Sequence, residues 1–193
     1  MSETLPIVYL ARHGETDWSL SGRHTGRTDL PLTERGEQAA RGLATRLQGV
    51  TFASVFTSPL QRASRTCMLA GFGAVAEACD ELLEWDYGQY EGLTIAQILR
   101  ARPGWALFRD GCPGGESSGD VAMRADALIS RVRAVDGAVL LFSSAHILRV
   151  LAARWLGLPA DGGRLLMLGT ASLSTLGYEH TRGEPVIRTW NVG

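Results

Sequence analysis

The chain has 193 residues, 45% of them hydrophobic, and a formal net charge of −1, which is typical of one globular domain with a sizeable core. All 19 basic residues are arginines and 20 acidic residues balance them, so there is no strong positive field and we expect no nucleic-acid partner. No apolar run approaches the roughly 18 residues that a membrane-spanning helix needs, so we expect no membrane partner either.

The cysteine pattern indicates the compartment. Cys67, Cys79 and Cys112 are odd in number and lack the spacing of metal ligands, which argues against a disulfide framework or a metal site. Residues 1–6 lack the basic segment that opens a secretory signal. We therefore expect a cytoplasmic protein. The sequence leaves the oligomeric state open, and a homodimer is one of the alternatives.

The predicted elements alternate between strand and helix along the chain. Strands are predicted at residues 7–10, 52–57, 138–142, 171–178 and 185–190, and a short strand is predicted in the segment around residues 78–83. Helices are predicted at residues 32–47, 59–70, 94–101, 121–135 and 147–156. This alternation predicts a three-layer α/β/α sandwich with a mostly parallel central sheet, formed by a single domain of residues 1–193.

Local patterns add detail to these elements. A stripe at helical spacing, predicted to be buried, is formed by Ala40, Leu43, Ala44 and Leu47. Ser58 and Pro59 predict the start of the next helix, with the serine as N-cap and the proline at the first helical position. The fully apolar run 138–142 predicts a central parallel strand, because such strands are buried on both faces.

The most informative run is Arg12-His13-Gly14, directly after the apolar residues 7–10. In an open α/β sheet, ligands bind at the carboxyl ends of the strands, and this strand would deliver a guanidinium and an imidazole there. Neutral imidazole is a nucleophile toward phosphorus, and arginine binds phosphate oxygens with its fork of donors. The run therefore predicts a phosphate site; a purely structural His13 is the alternative.

Further runs extend this pattern. They are Gly22-Arg23-His24-Thr25-Gly26, Ser58-Pro59-Leu60-Gln61-Arg62-Ala63 and Leu83-Glu84-Trp85-Asp86-Tyr87-Gly88. Together with the first run they resemble, in order and over nearly the whole chain, the signature blocks of the histidine phosphatase (phosphoglycerate mutase-like) superfamily, in particular its small bacterial phosphatases. The resemblance implies hydrolysis of a small phosphorylated substrate without a cofactor or metal, since arginines supply the charge.

The resemblance also implies roles for single residues. His13 becomes phosphorylated, Arg12 and Arg62 hold the phosphoryl group, and Glu84 protonates the leaving oxygen. A second arginine fits this chemistry, because phosphoryl transfer is catalysed mainly by positioning and by stabilising charge on the oxygens.

Other residues receive weaker roles. Ser19 falls where the family commonly has an asparagine that contacts phosphate, and Thr25 lies in a segment that lines the site; ordinary turn chemistry is the alternative for both. Five aromatic side chains are either a pocket lining or simple packing of loops on the sheet: Trp18, Trp85, Tyr90, Trp105 and Phe108.

The fourth block departs from the family pattern. The family reads Ser-His-Gly-His after its central strand, with the first histidine catalytic, whereas residues 143–146 read Ser-Ser-Ala-His. Arg149 and Arg154-Trp155 fix the register and put Ser144 at the catalytic position, as the phosphate contact, and His146 at the second histidine. Ser144 offers a hydrogen bond but no charge, and losing one preorganised donor costs about 10²–10³ in rate.

Several interpretations stay open at this point. The leading prediction is a phosphomonoesterase that acts through a phospho-His13 intermediate, slowed by Ser144. Alternatively, His146 takes over as a substitute, although the ungapped register does not support this. A third possibility is a phosphate-binding protein, a repurposed enzyme or an inactive variant on the same fold. A phosphoglycerate mutase-like enzyme is less expected, because the cofactor-dependent mutases are longer and use extra basic residues to hold two phosphates.

Overall fold

The sheet confirms the predicted architecture. The computed structural model describes residues 5–193. The strands are β1 (Ile7–Arg12), β2 (Phe52–Thr57), β3 (Glu77–Ala78), β4 (Ala138–Ser143), β5 (Leu173–Tyr178) and β6 (Pro185–Val192). Their order in the sheet is β3-β2-β4-β1-β5-β6. The four strands from β3 to β1 are parallel, and β5 pairs antiparallel with both β1 and β6.

Helices cover both faces of the sheet. They are α1 (Asp17–Ser21), α2 (Glu34–Arg46), α3 (Gln61–Leu69), α4 (Ile95–Ala101), α5 (Leu107–Asp110), α6 (Ser118–Arg133) and α7 (Ala145–Trp155). Successive residues of a strand point to opposite faces, so β4 divides the core. Val139 and Leu141 pack with α6 and α7, whereas Leu140 and Phe142 pack with α2 and α3. The molecule is therefore the predicted α/β/α sandwich.

Several local predictions were wrong. Ser58 does not cap α3, which begins at Gln61 after Leu60; the backbone N–H of Gln61 is instead satisfied at 2.8 Å by the Asp29 carboxylate from another loop. Ala44 is exposed, because the buried stripe of α2 is narrower than predicted. The short strand expected around residues 78–83 is present as β3, but it covers only Glu77–Ala78, and a 3₁₀ turn follows at Asp80–Leu82.

Four short elements lacked a periodic signal and were not predicted. They are α1, α5 and the 3₁₀ segments at Gly88–Tyr90 and Ala160–Leu165. Each is one or two turns long, too short for hydrophobic periodicity to be visible. Within residues 5–193, no helix is both long enough and apolar enough to cross a membrane.

Candidate active site

The topology brings two chain segments together at one edge of the sheet. β1 and β4 are parallel neighbours, with Arg12 in register with Ser143, so the residues that follow both strands meet at their carboxyl ends. The backbone N–H of His13 donates to the carbonyl of Ser143 at 2.9 Å. His13 therefore lies directly beside the segment that enters α7.

His13 is held as a neutral imidazole with a defined tautomer. Its Nδ1 lies 2.7 Å from the carbonyl oxygen of Gly14, and because a carbonyl only accepts, Nδ1 carries the hydrogen. Burial lowers the pKa of His13 well below its ordinary value, and the nearby charges of Arg12 and Arg62 lower it further. The lone pair is consequently on Nε2, which forms no hydrogen bond within the described part of the chain.

Gly14 allows the tight turn after His13. A Cβ at this position would lie 2.3 Å from the carbonyl oxygen of Gly36 in α2. The backbone N–H of Gly14 donates to Thr66 Oγ1 at 3.0 Å, which joins the end of β1 to α3. Glycine is thus required here by the close approach of another backbone.

The two arginines are buried in different ways. Arg12 donates through Nη1 to the carbonyl of Leu168, and its buried Nε has no partner in residues 5–193. Arg62 is fully buried, and each of its three nitrogens donates within the protein: Nε to Ser144 Oγ at 3.3 Å, Nη1 to the carbonyl of Thr28 at 3.0 Å, and Nη2 to that of Gly26 at 2.8 Å. Burial lowers the pKa of both side chains, and the Glu84 carboxylate opposes that shift.

Glu84 caps the N-terminus of α7. Its Oε1 accepts from the backbone N–H groups of Trp85 and Ile147, each at 2.9 Å, and its Oε2 accepts from that of His146, also at 2.9 Å. The free N–H groups of a first helical turn favour a negative group at this place. Because Oε1 receives two donors and Oε2 one, Oε2 is the oxygen with room for a proton.

A cleft of about 240 Å³ opens over these groups. The predicted site residues that line it are Arg12, His13, Ser19, Thr25, Glu84 and His146. Arg62 and Ser144 lie behind its wall: Ser144 is 1% exposed, and its hydroxyl accepts from Arg62. All eight side chains thus belong to one region, but Ser144 does not reach the cleft surface.

The hydroxyl groups of Ser19 and Thr25 have partners in the protein. Ser19 Oγ donates to the carbonyl of Thr16 and accepts from the Thr16 backbone N–H, both at 2.9 Å, in the capping box of α1. Thr25 Oγ1 donates to the carbonyl of Arg23 at 3.2 Å. Both line the cleft, yet their hydrogen bonds are those of ordinary turn and cap chemistry.

His24 and Tyr87 also line the cleft, and the sequence did not mark them as site residues. The Tyr87 hydroxyl lies 2.6 Å from His146 Nδ1, and the His24 and His146 rings stack in parallel with centroids 6.5 Å apart. Both residues stood inside runs quoted for the resemblance, but their orientation depends on loops that no periodicity describes.

Most of the predicted aromatic lining is packing. Trp85, Trp105 and Phe108 are buried in the core, and none of the five aromatics borders the cleft. Throughout the described chain, no group of three or more His, Cys, Asp or Glu side chains is arranged to hold a metal ion.

Comparisons with known proteins identify the family of this chain. The family model described as "Histidine phosphatase superfamily (branch 1)" matches residues 8–193. The chain is 42% identical to an acid phosphatase of Mycobacterium tuberculosis over 178 residues, which cover 90% of this chain and 87% of that protein. It is 34% identical to a "Probable phosphoglycerate mutase" of Photorhabdus laumondii over 189 residues, 90% of this chain and 86% of that one.

The fold is shared as well. The solved structure of an open reading frame product from Mycobacterium tuberculosis superposes with a TM-score of 0.89 at 38% identity, covering 96% of this chain and 97% of that one. The family match spans nearly the whole chain, including the segments that carry His13, Arg62 and Glu84. The chain therefore belongs to the histidine phosphatase superfamily, branch 1.

Proposed function

We propose that the protein hydrolyses a small phosphomonoester through a phospho-His13 intermediate. The observation that carries the proposal is the state of His13, a buried neutral imidazole whose Nδ1 donates to Gly14 and whose Nε2 is free toward the cleft. A nucleophile of this kind needs no prior deprotonation. The adjacent cations of Arg12 and Arg62 supply the charge that a phosphoryl group requires.

The first half-reaction transfers the phosphoryl group to His13. The Nε2 lone pair attacks phosphorus, the ester P–O bond breaks, and the leaving oxygen takes the bonding electrons together with a proton from Glu84 Oε2. Arg12 lines the cleft, and its guanidinium binds phosphoryl oxygens there. Arg62 adds its buried charge from behind the wall, held in place by Ser144.

The second half-reaction releases phosphate. A water molecule attacks phosphorus, its proton passes to the Glu84 carboxylate, and the P–N bond breaks with its electron pair returning to His13 Nε2. The proton that Glu84 gave to the leaving oxygen is thereby replaced, and His13 is again a neutral imidazole. Since its three cysteines are buried and unpaired, we place this reaction in a reducing compartment such as the cytoplasm.

The test is a panel of phosphomonoesters combined with trapping of phosphohistidine in the parent protein and in His13→Ala. We expect turnover and a phosphorylated histidine in the parent, and neither in the variant, with thermal stability retained. His180→Ala is the matched control, because His180 is an exposed histidine away from the cleft. It should behave as the parent does.

Two outcomes would overturn the proposal. Undiminished turnover in His13→Ala excludes this nucleophile. A parent that binds phosphorylated ligands tightly but hydrolyses none is a binding protein, the alternative that the serine at position 144 favours. Phosphorus NMR of the products separates hydrolysis, which gives inorganic phosphate, from a mutase, which gives a positional isomer.

A further inference from the structure

Three histidines meet in the cleft, and each is anchored through Nδ1. His13 and His24 are bonded to the backbone carbonyls of Gly14 and Leu93, at 2.7 and 2.9 Å, and His146 to the Tyr87 hydroxyl at 2.6 Å. None of the three Nε2 atoms has a hydrogen-bond partner among residues 5–193. The three imidazoles therefore offer their second nitrogen to a ligand.

The anchors give these nitrogens opposite polarity. A carbonyl only accepts, so His13 and His24 carry hydrogen on Nδ1, and the neutral His13 presents a lone pair at Nε2. A tyrosine hydroxyl also donates. If His146 Nδ1 were the donor, the O–H of Tyr87, which is 2% exposed, would be buried without an acceptor, which is unfavourable. Tyr87 therefore donates, and the hydrogen of His146 lies on Nε2.

The protonation states agree with this assignment. Burial raises the pKa of Tyr87 well above its ordinary value of 10, and Glu84 raises it further, so the phenol keeps its proton. Burial lowers the pKa of His146 well below its ordinary value of 6.5, and the charge of Arg149 lowers it further. His146 is thus a neutral imidazole with one hydrogen, and the neighbouring phenol decides where it is.

We propose that Tyr87 and His146 form a donor pair for the phosphoryl group: Tyr87 O–H donates to His146 Nδ1, and His146 Nε2–H donates to a non-bridging phosphoryl oxygen. This inference rests on the proposed hydrolysis. The pair supplies the hydrogen bond that Ser144 cannot, since Ser144 lies behind the cleft wall. In this assignment, His146 is the catalytic donor and Tyr87 is a positioning residue.

Glu84 fixes the backbone of His146. Its N–H donates to Glu84 Oε2 at 2.9 Å, and its Nδ1 lies 3.8 Å from that oxygen. The side chain is 23% exposed and lines the cleft, so it is accessible to a ligand there. Glu84, the proposed proton donor, thus also positions His146, the proposed hydrogen-bond donor, at the first turn of α7.

The experiment compares His146→Ala, His146→Gln and Tyr87→Phe with the parent. We expect His146→Ala to lower kcat by about 10²–10³, the loss attached to one preorganised donor. Glutamine carries an N–H close to the position of the imidazole Nε2, so His146→Gln should recover part of that loss. Tyr87→Phe should lower kcat less than His146→Ala and leave KM nearly unchanged.

A second readout is independent of turnover. Nitrogen-15 NMR should find His146 of the parent protonated on Nε2 and bare on Nδ1, and Tyr87→Phe should shift this tautomer balance. The matched control is Tyr178→Phe, which removes another buried hydroxyl, one with no partner in the described structure and far from the cleft lining. It should change neither the tautomer nor kcat.

The outcomes distinguish this inference from the proposed function. If the parent forms phospho-His13 but His146→Ala keeps full turnover, the donor pair is wrong and the hydrolysis stands. If His146 carries its hydrogen on Nδ1, the pair is also wrong. If no phosphohistidine forms in the parent, the proposed hydrolysis fails, and with it the donor role of His146; the NMR result still decides the Tyr87–His146 hydrogen bond.

Discussion

Ser144 connects the fourth sequence block to Arg62. Its hydroxyl accepts from Arg62 Nε at 3.3 Å, and the serine is 1% exposed. The family pattern leads one to expect a group that touches the phosphoryl oxygens at this position. The contact with Arg62 instead favours an indirect role, in which the serine keeps the guanidinium in one orientation.

Ser144→Ala should therefore act on stability more than on catalysis. The substitution leaves Arg62 Nε buried without an acceptor, which costs about 1–3 kcal/mol of unfolding free energy. We expect kcat to fall less than tenfold. Urea unfolding and steady-state kinetics measure the two effects. Ser64→Ala is the control, because the Ser64 hydroxyl bonds only to the exposed carbonyl of Gln61. A loss of 10² or more in kcat at unchanged stability would instead assign Ser144 a direct phosphate contact.

At the level of elements, the loop that carries Glu84 is tied to α6. Arg124 of α6 donates to the carbonyls of Glu81 and Leu83, each at 2.9 Å, and forms two bonds of 2.7 and 2.9 Å with the Glu116 carboxylate. Glu116 in turn accepts from the backbone N–H of Asp86 at 2.8 Å. The residues on either side of Glu84 are thus fixed by one arginine.

We predict that Arg124→Gln loosens this loop. It should lower the unfolding free energy by about 1–3 kcal/mol, and misplacement of Glu84 should lower kcat by up to about 10². The matched control is Arg154→Gln, which breaks two bonds of 2.8 and 2.9 Å to Asp126 between α7 and α6, away from Glu84. Arg154→Gln should reduce melting temperature without reducing kcat. An equal loss of kcat in both variants would mean that global stability, not the position of Glu84, is responsible.

The elements that the sequence predicted well are those with long periodic patterns. The helix predicted at residues 121–135 forms as α6, with Val121, Ala125, Leu128 and Val132 buried, and the run 138–142 forms the central strand β4. The start of α3 was mispredicted because Asp29, 32 residues away, supplies the cap. Ser58 has the right residue type for a cap but not the long-range context, which sequence spacing cannot contain.

The site shows the same difference between local sequence patterns and long-range contacts. Arg12, His13, Arg62 and Glu84 follow or flank strands and lie within contiguous runs, so the motif pattern predicted them. The Tyr87–His146 contact joins residues 59 positions apart through the loop after β3 and the first turn of α7. The contact forms only if both segments extend far enough over the edge of the sheet. That extent is set by tertiary packing, which the sequence pattern does not contain.

At the scale of the whole molecule, two histidines are folded in the neutral state. The pKa values of His13 and His146 lie well below their ordinary value of 6.5, with burial as the main cause for both. Above pH 6.5 they are neutral in the folded and unfolded chains alike. Below it the unfolded chain binds protons that the folded chain does not, so the folded state loses stability as the pH falls.

The unfolding free energy should therefore decrease between pH 7.5 and 5.5, by roughly 1 kcal/mol per pH unit for each of these histidines once the pH is below 6.5. Carboxylates such as Asp110, whose pKa is lowered by Arg109, lose their contribution to stability only at a pH below this window. The change in stability between pH 7.5 and 5.5 therefore reports on the histidines. Urea unfolding at a series of pH values measures the slope. His13→Ala and His146→Ala should each remove one share of the slope, and the double variant should remove both. A parent whose stability is constant across the window, or a double variant with an undiminished slope, would show that these imidazoles are not held neutral in the folded protein.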